Sequence, residues 1–136
     1  VSAVAPLDAE LIEADFSLVP GAVQSVSTRR SLVVLITALD SGALEEGLLP
    51  VLPQLLAKHV VVVASVRDPE LEELRRQRTT AAEVFRAAAA ERALLDRAAV
   101  SAQLRSMGAE VVDETPQELP PKLADLYIRL KASGRL

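Results

Sequence analysis

The chain has 136 residues, half of them apolar and only 2% aromatic, with a formal net charge of -4 at pH 7. That length suits one hydrophobic core, which must be built from Leu, Val and Ala in place of aromatic rings. The acidic balance argues against a nucleic-acid surface, the lack of cysteine removes disulfides and thiolate chemistry, and no apolar run approaches the roughly 20 residues of a membrane-spanning helix.

The chain opens at Val1 with no positively charged leader, so no signal peptide is expected. The missing initiator Met points to a piece of something longer. Residues 1–14 read as a lead-in and 15–136 as one partial α/β domain. Asp15 is placed to cap a helix through about Thr28, weakened by Pro20-Gly21. "SLVVLIT", from Ser31, is apolar on both faces, and so is "HVVVVASV" from His59. Such runs predict strands covered on both sides, as in a parallel sheet flanked by helices.

Between these strands, residues 43–57 carry Leu44, Leu48, Leu52 and Leu55 or Leu56 at helical spacing. Pro50 and Pro53 fall inside and should distort that helix. The helix from Thr80 is the clearest: Thr80 and Glu83 form a capping box and Gly108 stops it. Val84, Ala88, Leu95, Ala98 and Ala102 are read as its buried stripe, and its length exceeds that of any strand here, so it must bend or project. "AEVVD", 109–113, is a third, shorter strand. A last helix starts near Leu119, where Pro120-Pro121 favour a first turn; Thr115 and Glu118 offer a further capping box. Leu119, Leu123, Leu126 and Leu130 face inward, and Gly134 ends it.

Two successive right-handed crossovers set the strands side by side in the order first, second, third. Both crossover helices then share one face, leaving the last helix alone for the other. One helix cannot cover three two-faced strands, so a larger sheet or a second copy is expected to cover the rest.

The blocks "RRSLVVLITALDSGALEEGLLPVLPQLLAKHVVVVASVRDPELEEL", "AAAAERALLDRA" and "MGAEVVDETPQELPPKLADLYIRLKASGRL" resemble the end of a bacterial family of unknown function (DUF number fifty-eight). The likeness runs from about Leu11 to Leu136, and "SVRDP" and "YIRLKASGRL" are its most distinctive parts. It implies the C-terminal half of a von Willebrand factor A-like, doubly wound domain. It also implies a parent anchored in a membrane with this domain in the cytoplasm, acting with a MoxR-type AAA+ ATPase in assembly or protein interaction. Domains of that type hold a divalent ion through an Asp-x-Ser-x-Ser segment, which this chain lacks, and a Thr-Asp pair that appears here as Thr37-Ala38. Thr37 and Asp40 would be the remnants of such a site, and no bound metal is expected.

The strands end in "LDSG", "VRDP" and "VDET". Thr37, Asp40, Ser41, Arg67, Asp68 and Asp113 therefore gather along the carboxyl edge of the sheet, where open α/β folds bind ligands. A cation or the basic residue of a partner would suit that rim. Asp and Ser after a strand are equally favoured helix caps, and Asp68-Pro69 has that form; both roles stay open. His59, the sole histidine, sits at the opposite edge and reads as structural, at a helix C-terminus where a cation meets the dipole. No Ser-His-Asp set can form across the sheet. Arg75, Arg76 and Arg78, beside a Glu cluster, read as a solvated helix end rather than a phosphate site. Without a glycine-rich loop no nucleotide cofactor is expected.

The residues point to a non-catalytic protein-interaction module of a larger bacterial protein, self-associating as a homodimer. The alternative is a fragment of a Rossmann-like enzyme whose cofactor loop and catalytic residues lie elsewhere.

Overall fold

The computed structural model describes residues 16–39, 42 and 44–136. A 3-10 turn, Phe16–Leu18, leads into α1, Val19–Val26. Then follow β1 (Leu32–Ile36), a π-helical turn (Leu44–Leu48) running into α2 (Leu49–Leu56), β2 (Val60–Val66), α3 (Glu70–Arg76), α4 (Ala81–Met107), β3 (Glu110–Glu114) and α5 (Leu119–Ala132). The three strands form one parallel sheet in the order β1-β2-β3. Leu32 pairs with Val60, and Val62 with Glu110. This is the three-layer α/β architecture that the two-faced apolar runs require.

Alternation along the strands divides the core in two. Val33, Val61, Val63 and Val111 face the layer of α1, α2 and α4 and pack with Leu44, Leu48, Leu52 and Leu104. Val60 and Val62, with Leu32 and Val112, face α5 and its Leu126 and Leu130. β2 is buried from Val60 to Ser65, each valine contributing about 1.5–3 kcal/mol through removal from water.

The prolines act where their chemistry places them. Pro20 lies in the first turn of α1, so it marks the helix start and does not interrupt a longer helix. Asp15, the expected cap, lies outside the described residues. Pro50 has no N–H for the preceding turn, and the backbone widens into the π turn just ahead of it. Gly47 in that turn sits under the Phe16 ring; a Cβ there would come within 2.7 Å of it. Pro120 and Pro121 open α5, and no side-chain cap forms at its start, so the Thr115–Glu118 box is absent.

The Thr80–Glu83 capping box is present in both directions, and Gly108, at φ 110°, terminates α4 in the left-handed region. Its 27 residues span about 40 Å. The C-terminal half covers the sheet, while the half near Ala81 projects past the carboxyl edge, where α3 packs along it. The buried stripe differs from the expected one. Ala87, Ala90, Val100, Ser101 and Leu104 are buried, while Val84 and Leu95 are 45% and 62% exposed. In an Ala-rich helix apolar residues lie on every side, so periodicity leaves the phase open; α3 settles it by approaching the small residues.

Candidate functional site

At the carboxyl edge, β3 delivers Asp113 into the layer that contains α4, and Ser65 lies beside it on β2, in register. Arg97, on the inward side of α4, reaches both. Its Nε donates to Asp113 Oδ2 at 3.1 Å and its Nη2 donates to Oδ1 of the same carboxylate. Nη2 also lies 3.0 Å from Ser65 Oγ and 3.4 Å from the carbonyl oxygen of Val66. The Arg97 and Asp113 side chains are 16% and 13% exposed, so the forked pair is largely withdrawn from water. Arg67 stands further out, 4.0 Å from Asp113 and 3.9 Å from Glu114, and its N–H donates to the Glu114 carbonyl at 2.8 Å, extending the β2–β3 ladder.

Asp68 turns the other way: its Oδ1 accepts the Glu70 N–H at 2.9 Å and caps the first turn of α3. Thr37 ends β1, its N–H bonded to the Ala64 carbonyl at 3.0 Å and its Oγ1 3.3 Å from the Ala38 carbonyl. Two strand spacings, about 10 Å, separate β1 from β3. Asp40 and Ser41 lie outside the described residues. Of the expected rim, then, Arg67 and Asp113 come together, while Asp68 and Thr37 stand apart from them.

The arrangement is a clamp. Asp113 is neutralised by Arg97, and Ser65, 1% exposed, meets an arginine donor where a nucleophile needs a base. His59 is six residues back along β2, about 20 Å away. Among the described residues no group of three His, Asp or Glu side chains is placed to hold a metal ion, and no helix is long and apolar enough to cross a membrane.

Arg97 is the residue the sequence reading missed. The available signal was its phase, since Ala90, Leu94, Arg97, Ser101 and Leu104 follow each other at helical spacing. His59 has the structural role expected of it, by a different interaction. It is 7% exposed, and its Nδ1 accepts the Ser31 N–H at 3.0 Å. Burial, then the nearby Lys58 and Arg30 charges, push its pKa below the ordinary value. It is thus a neutral acceptor tying the start of β1 to β2, and not a cation on a helix dipole.

The two outer strands differ as edges. Backbone groups of Leu32, Val34 and Ile36 point away from β2, as the bonds of Ser31 and Thr37 to β2 require. The side chains of the same three residues lie on the α5 face, where Val34 is 41%, Ile36 74% and Val66 50% exposed. "LVVLI" carries neither charge nor proline to guard that edge. β3, in contrast, has Glu110, Asp113 and Glu114, and Arg105 Nη2 donates to the Val111 carbonyl at 3.2 Å. Comparison with protein-family models, with curated proteins and with solved structures finds no match to this chain.

Proposed function

We propose that the chain is a non-catalytic interaction or assembly module whose contact surface is the β1 edge with the adjoining apolar strip. The observation that carries this reading is the exposure of Val34, Ile36 and Val66 on one sheet face beside an unguarded strand. Free strand edges of that kind pair readily, and two-fold pairing is the commonest form of self-association. In the isolated chain the occupant is a second copy. Antiparallel pairing of β1 with its twin sets Val34 opposite Val34 and Leu32 opposite Ile36, joining two apolar strips into one.

The blocks "SVRDP" and "YIRLKASGRL" support a wider reading: the C-terminal half of a von Willebrand factor A-like domain in a larger bacterial protein, on the cytoplasmic side of its membrane. There, further strands of the same polypeptide would continue the sheet from β1. A MoxR-type AAA+ ATPase is the partner that the resemblance implies for that parent. An enzyme fragment has less support, because the polar groups of the carboxyl edge are engaged with each other.

Light scattering of the 136-residue chain at low micromolar concentration tests the β1 surface. A dimer is expected, and Val34→Lys with Ile36→Lys is expected to give a folded monomer. A compact wild-type monomer overturns the proposal, as does a dimer that survives both substitutions.

A further inference from the structure

A second surface lies at the other side of the sheet. Between α4 and α5, a cleft of about 350 Å³ runs along the outer edge of β3, floored by Val111 to Glu114. Its two walls differ. The α4 wall is low, made by Ala98 and Ser101 with Arg105 beyond them; the α5 wall carries Lys122 and Arg129. Those two cations have no ion pair or side-chain hydrogen bond among the described residues. The two carboxylates that line the cleft have other partners, Asp113 in Arg97 and Glu114 in Arg67. The lining of the cleft thus carries Arg67, Arg105, Lys122 and Arg129 against Asp113 and Glu114, a positive balance, while Glu118 and Asp125 alternate with the two cations along α5.

The backbone there is also available. Because the Glu114 carbonyl accepts from Arg67 on the β2 side, alternation directs the N–H and C=O groups of Val111 and Asp113 outward. Among these, the Val111 carbonyl is held by Arg105. We infer that the β3 edge accepts an extended acidic peptide segment of a partner as a fourth strand. Side chains of such a strand alternate between the walls. Acidic residues would then meet Lys122 and Arg129, two helical turns or about 10 Å apart, and small apolar residues would lie over Ala98 and Ser101. Main-chain bonds would supply affinity and the walls specificity, as in other strand additions. The β1 strand of another copy is a poor occupant, since "LVVLI" offers no acid to the cationic wall.

The probe is a fluorescein-labelled octapeptide alternating Glu and Val, titrated against the full chain by anisotropy, with amide exchange at Val111 and Asp113 followed by NMR. Saturable binding is expected, weakening about tenfold with Lys122→Glu and Arg129→Glu together, and weakening with salt. Exchange at the Val111 and Asp113 amides is expected to slow in the complex. Both lysine and arginine are exposed on α5; the pair Lys122→Gln and Arg129→Gln gives the same contrast if charge reversal disturbs folding. Val34→Lys should leave binding unchanged, which separates this edge from β1. The inference is overturned by no binding at millimolar peptide, by equal binding of a Lys-Val octapeptide, or by equal binding of a Glu-Val peptide N-methylated at alternate residues. Equal competition from an eight-nucleotide oligothymidylate would also overturn it, marking an unspecific anion site.

Discussion

Arg97 serves three acceptors from one side chain, and its position explains why so few polar groups at the carboxyl edge are left over. With Arg97→Met, Asp113 would keep a largely buried carboxylate without its partner, and Ser65 would lose its donor. Breaking such a pair from one side costs about 3–5 kcal/mol when it is fully buried, to be read here as a lower urea midpoint. Arg97→Met combined with Asp113→Leu is expected to cost less than Arg97→Met alone, because no uncompensated charge remains. His59 makes a second residue-scale case. Its folded pKa is depressed, so on acidification the unfolded chain binds the proton first. The stability that neutral His59 supplies is complete above pH about 6.5, its unfolded value, and declines as pH falls from there toward the folded value. His59→Ala should cost about 1 kcal/mol at pH 8, the worth of the lost Ser31 bond, and the gap to wild type should narrow between pH 7 and pH 5. Urea titrations at several pH values check this; a constant gap would assign His59 a packing role alone. Neither residue's role was fully legible in sequence. Arg97 finds Ser65 across 32 positions of chain, and the burial that neutralises His59 arises only when the strands assemble.

Elements were more legible where their signals are local. The Thr80–Glu83 box and the Gly108 stop depend on groups within one turn, so the ends of α4 could be read from adjacent residues. The strands could be read because short runs of five to seven mostly β-branched or aliphatic residues suit little else, although only β2 is covered on both faces. The buried side of α4 could not. Val84 and Leu95 are larger than Ala87 and Ala90, and sequence reasoning favours the larger side chain as core. Yet α3 lies close along the projecting half of α4, and close approach of two helices selects alanine. The same tertiary choice put Arg97 on the inward side, so a wrong helix phase and a missed clamp have one cause. The proline-rich α2 shows the intermediate case: a distortion was readable from Pro50, but the π turn that accommodates it, with Gly47 packed under the distant Phe16 ring, was not.

At the scale of the whole molecule the sheet has two unlike edges. β3 is charged and partly guarded by Arg105, whereas β1, of equal length, is apolar in both its edge and its outward side chains. α5 is the only layer on its face among the described residues, and it packs on β2 and β3, leaving the β1 side of that face to solvent. Pairing β1 with a second copy would satisfy its free backbone groups and bury the flanks of Val34 and Ile36 against their cross-strand neighbours, so folding and association should be linked. The expected sign is a melting temperature that rises with protein concentration, by about 2–3 °C per tenfold for a two-chain unit of this size. Val34→Lys should melt lower and at a temperature independent of concentration. If wild type also melts independently of concentration while scattering as a dimer, association uses folded monomers that are already stable, and the apolar β1 strip is not what holds the fold together.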